Sequence, residues 1–532
     1  MKSTPYHLEI QTHRKNPYGV LRTTYREDGK IKHKTIASLP GLTLEQLRAM
    51  QAALQNKTVP KEDFKILSSR EYGASYAAYS ILKELGLHKA IHSHHWQEWV
   101  KSSVAMIVGR LVYQGSKLSL SNCTNHSSLW EICGIDEDVD VDTHCYDAMD
   151  ALFSRQEAIQ MTLAKKHLQD GFIVLYDITS CYMEGEYGGS ELVKFGYNRD
   201  KKRGHEQIVI SLLCNKDGCP IAVETLKGNT KDETTVLEKL NELQQKYGIT
   251  KIIFVGDRGM ITQTNYEQID HEKIKVISAL NHSKIQELCD KGIVQLSLFD
   301  EKDIAEIVDG TKRYMLCKNL LLANKEAKTR QVLLEKTTDE LNKIIASTRK
   351  TKHSKDIRAG KIVNKYKMAK FIIFEGTGEN LSYKLDGDKI EKESALDGCY
   401  VVFTDASAED ISAAEAVKSY KSLMQVEQAF RNLKTAQLEI RPVYHKTDDR
   451  IKCHVFICML AYYVMWHMRQ RLNPLAEIDG TGKNRKYSFD YVLESLKSIR
   501  YEKVAFMNTQ TYIVSTPNDE QAHILNLLGV AL

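Results

Sequence analysis

The chain has 532 residues, of which 42% are hydrophobic and 27% charged, with a formal net charge of +5. That length calls for several domains, and the balance of apolar and charged residues excludes a disordered or collagen-like chain. Eleven cysteines without paired metal spacing read as free thiols in a reducing compartment, so a cytoplasmic location is expected.

Residues 1–60 read as a small basic β-meander plus a helix, with YGVLRTTYRE, the turn DGK and KHKTIASL in succession. Its first 35 residues hold Lys2, Arg14, Lys15, Arg22, Arg26, Lys30, Lys32 and Lys34 against Glu9, Glu27 and Asp28, a balance that fits either nucleic-acid contact or a basic docking sheet. Residues 65–170 are helical by pattern, notably Ala74–Leu85, Trp96–Gln114 and Tyr146–Leu168, with Trp96 and Trp130 read as core. Cys123 with His126, and His144 with Cys145, match no zinc-finger spacing.

Two aspartates then follow apolar runs of the kind buried on both faces of a sheet. Asp177 comes after Phe172, Ile173, Val174, Leu175 and Tyr176; Asp257 comes after Ile252, Ile253, Phe254, Val255 and Gly256 and before Arg258 and Gly259. Each is expected at a strand end, where α/β sheets bind ligands. Between them Glu206–Cys214, the turn NKDG and Ile221–Leu226 suggest a hairpin, and Lys231–Tyr247 a helix; a further strand is expected at Lys275–Leu280. In YKSLMQVEQAFRNLK, Tyr420, Glu427 and Lys434 recur every seven residues, which places them on one face of a helix. Three converging carboxylates would repel unless a cation neutralised them, and an all-oxygen site suits magnesium or manganese. Three antiparallel strands, a helix, a strand, a helix, a strand and a late helix with an acid make the ribonuclease H-like plan, an α/β fold.

The strings YDITS, GYNRDKKRGHEQIVISLL, LKGNTKDETTV, GDRGMIT, YKSLMQVEQAFRNLK and RPVYH resemble the insertion-sequence DDE transposases of the IS-four-like superfamily, a bacterial group, over about residues 10 to 470. The resemblance implies a transposase that cuts and joins the ends of its own insertion sequence. Asp177, Asp257 and Glu427 would be the catalytic residues, holding two Mg2+ ions for which Mn2+ substitutes, with no small-molecule cofactor. The partners implied are terminal inverted repeats, target DNA and a second copy in a homodimeric synaptic complex. The 170 positions from Asp257 to Glu427 imply an inserted module. The resulting division is 1–60; 65–170 for end recognition; 171–281 for the first part of the core; 282–405 for the insertion; 406–470 for core completion; and 471–532 for capping or dimerisation.

One signature position departs from the family, since Leu423 stands where Arg is expected and leucine cannot grip a phosphate. Arg431, one turn beyond Glu427 on nearly the same face, is the candidate for a substitute guanidinium, the alternative being a plain surface residue. Tyr420 and Lys434 are expected on phosphates, as are Arg258 and the cluster Arg199, Lys201, Lys202 and Arg203. A second cluster runs from Arg349 to Lys370 and includes Lys350, Lys352 and Arg358, with Asp356 as its one acid. The apolar run Val455–Trp466 is shorter than the ~20 residues of a membrane span and reads as a buried helix, so no membrane partner is expected. Three other readings are a haloacid-dehalogenase-like phosphatase, disfavoured because Ile178 and Thr179 leave no acid two residues after Asp177; a ribonuclease H-like nuclease without strand joining; and a non-catalytic DNA-binding protein.

Overall fold

The alternation of apolar runs with turns resolves, in a computed structural model, into a mixed eight-stranded sheet. The described residues are all except 1–5, 13–16, 28, 56–63, 93–96, 137, 170, 201, 203, 248, 250, 302, 349–353, 436, 479–486 and 507–508. The chain divides into two compact units. One comprises Met1–Leu85, Lys117–Val141 and His467–Leu532, and the other Gly86–Ser116 and Asp142–Trp466. The stretch 65–170, expected as one helical region, is thus shared between both.

The larger unit is built on strands β1 (Phe172–Tyr182), β2 (Gln207–Asn215), β3 (Pro220–Lys227), β4 (Ile252–Gly256), β5 (Ile274–Ala279), β6 (Ala305–Asp309), β7 (Lys312–Lys318) and β8 (Cys399–Thr404). Their spatial order is β6-β7-β8-β5-β4-β1-β2-β3. β1 pairs antiparallel with β2, and β2 with β3, whereas β4 lies parallel to β1 and β5 parallel to β4. The central strands are apolar on both faces because both faces are covered: every residue of β4 is buried, as is nearly all of β2. Helix α1 (Asp232–Gln245) buries Val236, Leu240 and Leu243, one stripe at helical spacing.

The segment expected as an inserted module is only partly separate. β6, β7 and β8 continue the same sheet, with β8 antiparallel to β5. What leaves the sheet is the stretch between β7 and β8, which contains helices α2 (Leu320–Ala346) and α3 (Lys355–Tyr366). These and a short hairpin enclose a small core of Leu341, Ala359, Val363, Ile372 and Leu381. After β8 come α4 (Ala413–Lys421), α5 (Leu423–Lys434) and α6 (Asp448–Ile478). An apolar window within Asp448–Leu475 is long enough to cross a membrane, but 83% of it is buried inside the protein.

The smaller unit contains the N-terminal meander, Tyr6–Gln11, Tyr18–Glu27 and Lys30–Leu39, against which the helix Leu44–Leu54 sets Leu47. A second sheet joins Phe64–Glu71 to the hairpin Arg500–Phe506 and Thr509–Val514. Trp130 is core, its indole N–H donating to the Leu120 carbonyl at 2.9 Å; Trp96 lies outside the described residues. All eleven cysteines are free.

One close backbone approach fixes the loop between β1 and β2. A Cβ on Gly228 would lie 2.0 Å from the Gln207 carbonyl oxygen, and one on Gly196 2.0 Å from that of Gly228. Lys194 bridges to Gln207 there, and the Gln207 side chain donates to the Tyr197 and Gly228 carbonyls at 3.1 and 2.7 Å. Gly228→Ala is expected to cost about 3 kcal/mol, since backbone rather than a flexible side chain must yield. The denaturation midpoint checks this against Gly188→Ala, whose Cβ would meet nothing within 4 Å.

Candidate functional site

Asp177 was expected at the end of its strand, but β1 runs on to Tyr182 because β2 pairs with it as far as Tyr182↔Gln207. On its other side β1 pairs with β4 only from Phe172↔Ile252 to Tyr176↔Gly256. Asp177 and Asp257 therefore follow one register pair, at the point where β4 stops. Asp177 thus lies just past the end of the β1–β4 pairing without ending its own strand. The Asp177 carboxylate accepts from the Ile178 amide at 2.8 Å, and Asp257 from the Arg258 amide at 2.8 Å.

The motif expected as one helix is two. The chain turns at Ser422, so Tyr420 lies on α4 while Glu427 and Lys434 lie on α5. α5 packs on β1 with Leu423, Val426, Ala429, Phe430 and Leu433 buried, which leaves Glu427 on the exposed side. Leu423 thus belongs to the apolar stripe, which explains a leucine there. Arg431 is exposed one turn after Glu427 and has no ion-pair partner among the described residues.

Asp177 feels the other two acids. Burial pushes the Asp177 carboxyl up to about 7, and the charges of Asp257 and Glu427 push the same way, against the Ile178 amide and Arg199. Among the described residues, the oxygens of these three carboxylates do not all fall within 4.8 Å of one another. The Tyr420 hydroxyl donates to Asp257 at 3.3 Å. Burial and then the Asp257 charge raise its pKa, which keeps that proton in place. In this structure the Tyr420 hydroxyl is thus engaged by the second aspartate.

Lys434 is also engaged. Its ammonium donates to Thr179 Oγ1 at 2.7 Å and to Asp200 Oδ1 at 3.2 Å, while Arg441 donates to the other oxygen of Asp200 at 2.6 Å. Burial holds the Lys434 ammonium below its usual pKa, with Asp200 opposing the shift. Thr179, Asp200 and Arg441 were not anticipated, although a lone acid inside the basic string NRDKKR was a usable signal. Within that string Arg199 pairs with Asp232, and its amide donates to Ser180 at 2.8 Å. Lys202 lies 3.7 Å from Glu184 and 4.2 Å from the Tyr182 ring centroid. Lys201 and Arg203 lie outside the described residues. Arg258 is exposed beside Asp257.

The second basic cluster is less bare than its sequence suggests. Lys355 pairs with Glu379 at 2.7 Å, Lys365 with Glu340 at 3.1 Å and Lys370 with Glu393 at 2.6 Å. These acids come from outside the cluster, so a local count misses them. Arg358, Lys361 and Lys367 keep no acidic partner among the described residues, and Lys350 and Lys352 lie outside them.

A comparison with curated proteins gives no match. Among solved structures, the chain is similar to the cryo-EM structure of a piggyBac transposase synaptic complex with hairpin DNA. The identity is 8% over 80% of this chain and 80% of that one, with a TM-score of 0.36. Residues 172–464 match the family model for the transposase DDE domain. That span begins at the first residue of β1, takes in Asp177, Asp257 and the whole of α5, and exceeds half the chain: this protein belongs to the DDE transposase family.

Proposed function

We propose that the protein cuts the ends of its own insertion sequence and joins them to target DNA, on a ribonuclease H-like core of the IS-four-like kind. The observation that carries this reading is the placement of Asp177 and Asp257 after one register pair of adjacent parallel strands, with the charge of Glu427 acting on Asp177. The order β3-β2-β1-β4-β5, antiparallel and then parallel, supports the same reading.

The donor set fits divalent cations: three carboxylates, one raised by burial and by its neighbours' charges, gain from a positive ion between them. Asp177, Asp257 and Glu427 would hold two Mg2+ or Mn2+ ions. Bound there, such ions supply an attacking water or 3′-hydroxyl of lowered pKa and stabilise the leaving oxygen. The chain's own groups do the positioning. Tyr420 orients the Asp257 carboxylate, Lys434 presents an ammonium beside Thr179, and Arg431 and Arg258 remain exposed for phosphates. A synaptic homodimer brings two ends together.

Incubation of the protein with DNA carrying both element ends and a target plasmid, in Mg2+ or Mn2+, tests the proposal. Chelator-sensitive cut ends and joined products are expected. Cutting without joining would leave a nuclease, and no cutting would overturn the reading. For the α2–α3 module, replacing Arg358, Lys361 and Lys367 together by Ala should make the salt dependence of duplex binding shallower by roughly 2 to 3 in log–log slope. An unchanged slope would return these residues to a solvated surface.

A further inference from the structure

Four tyrosines of the smaller unit stack in series. Tyr76 and Tyr72 lie 5.0 Å apart between ring centroids with 17° between planes, Tyr72 and Tyr501 5.3 Å and 20°, and Tyr501 and Tyr512 5.1 Å and 12°. Tyr72 and Tyr76 sit at the start of the helix Gly73–Glu84, and the other two rings come from the hairpin strands. Three of the rings are half-buried, and the last, Tyr512, is 47% exposed.

One cation lies beside the exposed end, and two more stand on the neighbouring strand. Lys503 is the cross-strand partner of both Tyr512 and Ser68, Tyr501 is the partner of Arg70, and Ala505 of Lys65. Directly paired residues point to one side of a sheet, so Tyr501, Tyr512, Arg70, Lys503 and Lys65 share a face. The Lys503 ammonium lies 5.8 Å from the centroid of the Tyr512 ring, and the Arg70 guanidinium 5.6 Å from that of Tyr501. Glu131 neutralises Arg70, whereas Lys503 and Lys65 have no acidic partner among the described residues.

Cross-strand stacking alone would explain the Tyr501–Tyr512 pair. It does not call for three further features: a series of supporting rings, a half-exposed ring at its end, and uncompensated lysines on the same face. An aromatic platform beside positive charge is what an unpaired nucleotide recognises, because every base has a π-face and every link a phosphate. We infer that this face binds single-stranded DNA, with a base stacked on Tyr512 and Lys503 and Lys65 on the backbone. The inference rests on the proposed cutting and joining of DNA, which creates free strand ends.

The test uses the full chain with chelator present and measures, by fluorescence anisotropy, the binding of oligothymidylate of about 20 nucleotides and of a duplex of equal length. Tyr512→Ala should weaken oligothymidylate binding about tenfold and duplex binding less than about twofold, while Tyr512→Phe, which keeps the ring, stays near the parent. Lys503→Ala should make the single-strand salt slope shallower by about 0.7. Unchanged oligothymidylate binding by Tyr512→Ala, or equal weakening of both probes, overturns the inference; thermal midpoints of the variants show that the comparison is between folded proteins. Ring-dependent single-strand binding by a protein that cuts no ends would sink only the proposed function. End joining without it would sink only this inference.

Discussion

Replacing Asp177 by Asn is expected to abolish metal-dependent end cleavage and, in the same protein, to raise the thermal midpoint of the metal-free form. The loss of cutting should be at least about 10³-fold, because divalent-ion assistance is worth several kcal/mol of barrier and the Asn amide is a poor ligand. The gain in stability has a separate cause. Burial, then the charges of Asp257 and Glu427, lift the Asp177 carboxyl from 3.8 to about 7, so ionising it in the fold costs more than ionising it in the unfolded chain. An acid raised in this way weakens the fold above its folded pKa. The cost shrinks as pH falls and vanishes below the unfolded pKa. A stabilisation on the order of 2 kcal/mol is therefore expected at pH 8, and almost none near pH 4. Calorimetry at both pH values, with and without Mg2+, checks it. The parent should gain midpoint from Mg2+ and the variant should not. A variant that melts lower than the parent at pH 8, or still cuts DNA, would remove Asp177 from the metal-holding set.

Asp177 and Asp257 stood out because each follows an unbroken apolar run, where a charge has no place in a core, and Glu427 because it shares a heptad spacing with Tyr420 and Lys434. β2, β3, α1 and β5 were legible from the same runs and from turn chemistry between them. The extent of β1 was not, since whether a strand continues past an aspartate depends on the partner offered by β2. Nor was the sheet membership of β6, β7 and β8. β7 and β8 pair across an excursion holding two helices, and no local periodicity names a distant edge. The break at Ser422 escaped for a similar reason, because the heptad spacing of Tyr420, Glu427 and Lys434 survives a turn that leaves α4 and α5 nearly consecutive. Pairings of cations were the least visible of all. Lys365, Lys370 and Lys434 are assigned to acids 25, 23 and 234 positions away, separations that only the fold closes.

Asp200 illustrates what such a pairing carries, and Asp200→Ala should be strongly disruptive although it lies outside the acidic trio. Its carboxylate divides between Lys434 and Arg441, and the side chains of Asp200 and Lys434 are only 16% and 13% exposed. Removing it leaves two largely buried cations uncompensated, which costs about 3 kcal/mol. Lys434, already held below its usual pKa by burial, would lose the group that opposes that shift and shed its charge at lower pH. Its ammonium would then no longer stand firmly beside Thr179, two residues from Asp177, and cleavage should fall through kcat more than through KM. A double-mutant cycle separates positioning from bulk. Lys434→Met removes one of the stranded charges, so Asp200→Ala combined with Lys434→Met should be less unstable than the sum of the two by at least about 1 kcal/mol. Asp200→Asn, which keeps the shape but not the charge, should resemble Asp200→Ala in activity. Strict additivity in the cycle, with full activity in Asp200→Asn, would show that the carboxylate does nothing for Lys434.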